Sequence, residues 1–220
     1  MKKKHPIIFI CGLGGTGKST LADKLNKILP IDCEIVRLDW YLKHSTGDRK
    51  NRIKKALESG GSNLVKKEEN PFNWNDFEKL KDDLLHFQQE SELDIKSAWN
   101  QKTGEKDTDI QIKFKTPNGL IICEGIYLLH PEIASIADFI ILLRTTEEQA
   151  VRRMEQRDAH RSSKEYLAYK SKLQKEYDVP YFNKYAHNAS VSIDQIGSAF
   201  IGDDEIRKIA GLIINKLKIC

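Results

Sequence analysis

Apolar residues in this chain fall into short continuous runs that alternate with helical stripes. Residues 6–11 read Pro-Ile-Ile-Phe-Ile-Cys and stop at glycines, the pattern of a strand buried on both faces of a parallel sheet. The period then changes. Leu21, Leu25, Ile28 and Leu29 share one face of a helix starting near Lys18, and Pro30, which cannot donate the next helical hydrogen bond, ends it. Further apolar runs at 33–38, 120–123, 139–143 and 189–193 predict strands. Between and around them the spacing predicts helices over 74–88, from Thr145 or Thr146 as N-cap to about Asp158, over 165–177, and from Asp203 or Asp204 to Lys216. Alternating strands and helices make a doubly wound α/β sheet.

Two stretches break the rhythm. Residues 43–71 are polar and contain Gly47, Gly60 and Gly61, which predicts a short helix flanked by mobile loops. Residues 93–116 hold two short strand-like pieces around Lys102-Thr103-Gly104-Glu105, a hairpin-like insertion. Both are suited to wall a substrate pocket. At 220 residues the chain reads as one domain, 1–220, carrying these insertions.

Composition narrows the classes. No apolar run is long enough to span a bilayer, and the five apolar residues after the basic lead-in Met1–Pro6 are too few for a secretory signal. Cys11, Cys33, Cys123 and Cys220 lack the spacing of a zinc site or disulfide framework, so a cytoplasmic protein is expected. Lys and Arg (36) nearly balance Asp and Glu (32) and are interspersed with them, which is no nucleic-acid footprint.

Gly12-Leu13-Gly14-Gly15-Thr16-Gly17-Lys18-Ser19 satisfies G-x-x-x-x-G-K-[ST] between a predicted strand and a predicted helix. The glycines let the backbone turn tightly and aim successive N–H groups at phosphate oxygens, at a helix N-terminus that favours anions. Gly12, Gly14, Gly15, Thr16, Gly17, Lys18, Ser19 and Thr20 are therefore candidate nucleotide contacts, with Lys18 reaching the β- and γ-phosphates and Ser19 a Mg²⁺ ion. Asn26-Lys27 and Asn183-Lys184 do not continue into the guanine-reading N-K-x-D, which leaves a GTPase without its main support.

Two carboxylates and an arginine series add chemistry. Asp39 follows the second predicted strand, at the carboxyl edge where the phosphate loop lies. It is placed either to act as general base toward an attacking hydroxyl or to cap a turn. Glu124 ends the third predicted strand before Gly125, as a Mg²⁺ ligand or a strand-end salt bridge. Arg153, Arg157 and Arg161, spaced by four, share a helical face. They form either a solvated surface or a lid, about 152–165, that closes on phosphates, with Arg153 on the nucleotide and Arg157 and Arg161 on transition-state charge.

Together these motifs resemble the uridine kinase family, within the wider group holding phosphoribulokinase, bacterial pantothenate kinase and nicotinamide riboside kinase. The resemblance rests on the phosphate loop and on Asp39-Trp40-Tyr41, which resembles the family's D-x-F. It rests also on Cys123-Glu124-Gly125-Ile126, on the arginine series, and on Asn70 to Phe77 before a helix. It implies a five-stranded parallel sheet in the order 2-3-1-4-5, ATP with Mg²⁺, Asp39 as base and a mobile arginine lid. It also implies an acceptor pocket contacted by Asp39, Tyr41, Phe72, Trp99 and Asn100. Trp99-Asn100 stands where the family has tyrosine and aspartate, and Leu42 replaces an aromatic, which points away from uridine or cytidine. The expected function is ATP-dependent phosphorylation of a small-molecule hydroxyl on a nucleoside, vitamin-like alcohol or sugar derivative, by a monomer or homo-oligomer. The alternatives are a nucleotide-dependent regulatory protein and a polynucleotide 5′-hydroxyl kinase, in which Trp40, Trp74 and Trp99 would stack on bases.

Overall fold

The computed structural model describes residues 5–159, 163–195 and 201–219. At its centre β1 (Ile7–Gly12) is buried along its whole length, with a parallel neighbour on each side. Beyond one edge lie β5 (Gly119–Gly125) and then β2 (Asp32–Arg37); beyond the other lie β6 (Phe139–Arg144) and then β7 (Val191–Asp194). Every pairing in this sheet is parallel. Numbered among themselves along the chain, the five strands stand in the order 2-3-1-4-5, as the resemblance implies.

The two-residue period of the strands splits the core between two helical layers. Ile7, Phe9 and Cys11 join Leu80, Leu84 and Phe87 of α4 (Phe77–Glu90) on one face. Ile8 and Ile10 join Leu21 and Leu25 of α1 (Lys18–Ile28) and Ile206, Ile209 and Ile213 of α9 (Asp203–Leu217) on the other. Cys11, Cys33 and Cys123 are buried free thiols whose pKa burial pushes up, the condition of unreactive core cysteines.

Three segments depart from a plain alternation of strand and helix. The 43–71 stretch is more regular than its polarity suggested: α2 (Thr46–Glu58) and α3 (Ser62–Glu69) pack against each other and lead into a 3₁₀ turn, Pro71–Trp74. Two helices stand where one short helix was expected, because α2 buries only Arg49 and Ala56 and so shows no apolar stripe along the sequence. The 93–116 stretch is the expected hairpin, β3 (Glu92–Ala98) antiparallel to β4 (Thr108–Lys113). Finally, the helix expected over 165–177 is α7 (Lys164–Leu173) followed by a π-helical turn, Gln174–Asp178, and α8 (Val179–Tyr185). Pro180 lacks an N–H and its ring crowds the preceding carbonyls, and the chain widens just ahead of it. Between them, α5 (Pro131–Ala134) and α6 (Glu147–Asp158) flank β6, and Thr146 is the N-cap of α6, its Oγ accepting from Gln149 N at 3.3 Å. Among the described residues no helix is long and apolar enough to cross a membrane.

Phe87, fully buried and stacked on Phe114 at 4.6 Å, ties α4 to the segment after the hairpin. Phe87→Ala should cost about 3–5 kcal/mol in denaturant unfolding. Leu212→Ala, on the exposed side of α9, should stay within about 0.5 kcal/mol.

Candidate active site

Strand register sets the site. Arg37 of β2 lies level with Glu124 of β5, which lies level with Ile10 of β1. The three strands therefore end together, and the carboxyl edge of the sheet presents Asp39, Glu124 and the loop 13–17 side by side.

The loop owes its shape to missing side chains. Gly15 sits at φ +87°, and a Cβ there would lie 2.4 Å from the carbonyl oxygen of Ala150 in α6, so the loop packs backbone to backbone against that helix. Gly17, also left-handed, precedes α1 without a side-chain cap, which leaves the first amides of the helix available to an anion. Leu13 O collects hydrogen bonds from Thr16 Oγ at 2.9 Å and Lys18 Nζ at 3.0 Å. Thr16 is fully buried, so its side chain braces the loop rather than facing a ligand, whereas Thr20 is exposed on the first turn of α1. This cradle of glycine backbone, helix amides and lysine has the donor set and the open backbone that a polyphosphate requires.

Beside it, Ser19 Oγ donates to Glu124 Oε1 at 2.9 Å, and Arg37 Nη1 donates to the same oxygen at 2.8 Å. Ser19 and Glu124 thus offer two adjacent oxygens to a divalent cation. Among the described residues no group of three or more His, Cys, Asp or Glu could hold a metal ion, so such an ion would complete its shell with phosphate oxygens and water. Lys18 is half-buried; burial pushes its pKa down, while the carboxylates of Glu124 and Asp39 oppose that shift and Arg157 adds to it. Glu124, Asp39 and Arg157 therefore lie close enough to Lys18 for their charges to act on it. Asp39 itself is exposed, in the 3₁₀ turn Leu38–Tyr41 that follows β2.

The arginine series divides. Arg157 is gripped by the buried Asp158 through Nε at 2.8 Å and Nη2 at 3.1 Å, and Lys170 closes on the same carboxylate at 2.8 Å. That grip raises the pKa of Arg157, and the fields of Asp39 and Glu124 raise it further. Arg153 instead donates to Gln195, whose amide donates to Thr16 O, so it fastens the end of β7 to the phosphate loop. Arg161 lies outside the described residues.

Of the expected acceptor contacts, Phe72 belongs to an aromatic cluster with Phe77, Tyr127, His130 and Tyr181. Trp99 packs on the Arg49 guanidinium and its Nε1 donates to Gly104 O at 3.2 Å. Two others point elsewhere. Tyr41 is 2% exposed, packed in the core with the Lys79 ammonium over its ring, and Asn100 turns its Oδ1 onto Lys102 N at 2.9 Å to close the hairpin loop. An aromatic two residues after Asp39 faces inward in this turn, and an asparagine beside a glycine-bearing loop serves the loop first.

Sequence reading missed Arg37, Gln195 and the π-helical turn. From that turn Gln174 reaches to 3.5 Å of where a Gly14 Cβ would stand, and its Nε2 is buried without a hydrogen-bond partner. One helical turn further, Asp178 accepts a hydrogen bond from Tyr127 Oη and lies in the field of Lys18. The signal was Pro180, which breaks a helix that periodicity alone would continue.

A family profile described as Phosphoribulokinase / Uridine kinase family matches residues 7–197. Similar solved structures include phosphoribulokinase from Rhodobacter spheroides, at 15% identity, 92% coverage of this chain and 76% of that one, and a TM-score of 0.60. A possible uridine kinase from Bacillus stearothermophilus shares 17% identity over 88% of this chain and 91% of its own, with a TM-score of 0.55. A candidate fructose transport system kinase from Silicibacter sp. TM1040 shares 19% identity over 87% and 91%, with a TM-score of 0.57. At these identities the structures show a common fold. A search of curated protein sequences finds no significant match.

Burial pushes the Asp178 carboxyl from its ordinary 3.8 up to about 6, although Tyr127 and Lys18 pull it back. The folded protein therefore holds this proton more tightly than the unfolded chain does. Its stabilising contribution is complete below about pH 4 and is lost as pH rises through about 6. Asp178→Asn should flatten the melting profile across that window and raise Tm at pH 8 by roughly 2–6 °C. Parallel profiles for the two proteins from pH 4.5 to 8 would contradict this.

Proposed function

This chain belongs to the phosphoribulokinase / uridine kinase family, and on that premise we propose that it transfers the γ-phosphoryl group of ATP to a hydroxyl of a small molecule. It is a P-loop kinase by family and fold. The observation that carries the finer reading is the electrostatic neighbourhood at the carboxyl edge, in which the carboxylates of Glu124 and Asp39 reach both Lys18 and Arg157. A nucleotide-regulated protein without an acceptor has no use for an exposed carboxylate beside its phosphate cradle.

In this reading the loop amides and Lys18 hold the nucleotide phosphates, with Lys18 exchanging Leu13 O for phosphate oxygen. Ser19 and Glu124 would hold Mg²⁺, which would supply neutralisation of phosphate charge. Asp39 orients the acceptor hydroxyl and takes its proton, its exposure leaving the carboxylate open to an incoming alcohol. Arg157, set by Asp158, stabilises charge on the transferred group, and Arg161 is assigned the same task from its position in sequence. Arg153 positions the loop through Gln195.

Asp39→Asn should keep ATP affinity within about threefold in calorimetry while kcat falls roughly 10²–10⁴-fold. Turnover retained within about threefold would remove the base from Asp39. Lys18→Ala should abolish both thermal stabilisation by ATP and turnover. Unchanged values for both would take Lys18 out of the phosphate site.

A further inference from the structure

Arg49 is the charged group that the nucleotide site leaves unexplained. It sits on the first turns of α2 and is only 8% exposed, yet its polar contacts are both neutral: Nη1 donates to His44 O at 3.2 Å and Nη2 to Thr46 Oγ at 3.1 Å. Trp74 and Trp99 each lie against the guanidinium, with ring centroids 5.0 and 5.5 Å away. Among the described residues no carboxylate stands within ion-pair distance of it. Of the nearby acids, Glu68 is taken by Arg52 in a two-pronged pair at 2.8 and 2.9 Å and Glu69 faces Lys172 at 3.7 Å, while Asp39 acts on Arg49 through its field without a direct contact.

A buried cation without a counter-ion is costly, and two indole faces repay only part of the lost hydration. The shortage is local to a cleft. Arg49 lines a cavity of about 230 Å³ with Lys43, His44, Arg52 and Lys67, in which Glu68 is the single carboxylate. It also lines a larger, more apolar cleft of about 380 Å³ with Trp74 and Tyr169, and the Tyr169 hydroxyl is buried there without a partner. Trp99, which packs on the guanidinium, donates its backbone N–H to Trp40 O at 3.1 Å, and Trp40 directly follows Asp39, so Arg49 is tied through one ring to the turn that carries the carboxylate assigned as base. A guanidinium carries the planar donor edge that suits a carboxylate or phosphate, and binding such a group would supply the missing negative charge.

We propose that the acceptor alcohol carries an anionic group, a carboxylate or phosphate, which Arg49 receives in the basic cleft while the free hydroxyl is presented to Asp39. The proposal rests on the kinase reading above and names the class of its second substrate. Arg49 is then a specificity-determining residue, and a neutral nucleoside is disfavoured because it would leave the buried cation unpaired.

The test uses matched alcohols, each anionic member beside its neutral counterpart: glycerate with glycerol, pantothenate with pantothenyl alcohol, ribose 5-phosphate with ribose. Phosphoryl transfer from ATP is measured for the wild type, Arg49→Gln and Arg49→Lys. Binding of the same compounds is measured by calorimetry with a non-hydrolysable ATP analogue present. At least one anionic member should exceed its neutral partner by tenfold or more in kcat/KM. Arg49→Gln should erase that preference while ATP affinity stays within about threefold, and the pair with the larger loss distinguishes carboxylate from phosphate. Lysine keeps the charge without the fork and should recover only part of the preference, and it serves as the readout if the glutamine variant fails to fold. Neutral members used as well as anionic ones, or a preference that survives both substitutions, would overturn the proposal and leave the kinase reading standing. Arg49-dependent binding of an anionic member with no transfer to any alcohol would keep the anion site and sink the kinase reading. No binding of any anionic member would overturn the assignment of Arg49 outright.

Discussion

Main-chain amides can converge on an anion only where no side chain stands in the way, and Gly15 is where this chain meets that constraint. Its backbone presses so closely on the Ala150 carbonyl that a methyl group would have no room, and its φ of +87° is one that other residues rarely adopt. The contact joins the phosphate loop to α6, which carries Arg153 and Arg157. Gln195 adds a second tie from the end of β7, accepting from Arg153 and donating to Thr16 O. Loop, arginine helix and sheet edge are thus one packed unit, and the positions of Arg157 and Lys18 follow from it.

Charge is distributed with the same economy. Lys18 is half-buried, but the fields of Glu124 and Asp39 keep its ammonium from paying the full cost of that burial. Glu124 is steadied by Ser19 and Arg37 on one oxygen, and Arg157 by the buried Asp158. Groups with fixed orientations need little rearrangement when a charged substrate arrives, which is how electrostatic stabilisation of a transition state is achieved in a site closed to bulk water. Arg49 breaks the pattern as a buried cation with neutral partners.

Much of this was legible along the chain because the relevant signals are local. β1, β5 and β6 each carry a continuous apolar run, the glycine pattern lies between a strand and a helix, and Asp39 and Glu124 stand at the carboxyl ends of strands. What stayed hidden depends on distance or on an irregular turn. Arg37 meets Glu124 across 87 positions, Gln195 meets Thr16 across 179, and Tyr127 meets Asp178 across 51. The π-helical turn that presents Gln174 and Asp178 leaves the apolar spacing of α7 unchanged, and α2 hides its one buried charge in an otherwise solvated helix. Tyr41 and Asn100 show the converse, since residue type suggested a ligand contact and local packing used the side chain first.

The account turns on phosphoryl transfer to an alcohol rather than to water. The direct measurement is a product balance: the protein is incubated with ATP, Mg²⁺ and a mixed pool of small hydroxyl compounds, and ADP, inorganic phosphate and phosphorylated products are quantified together by mass spectrometry. One phosphorylated alcohol should form for each ADP released, with little inorganic phosphate. ADP matched by inorganic phosphate, with no phosphorylated alcohol, would contradict the account.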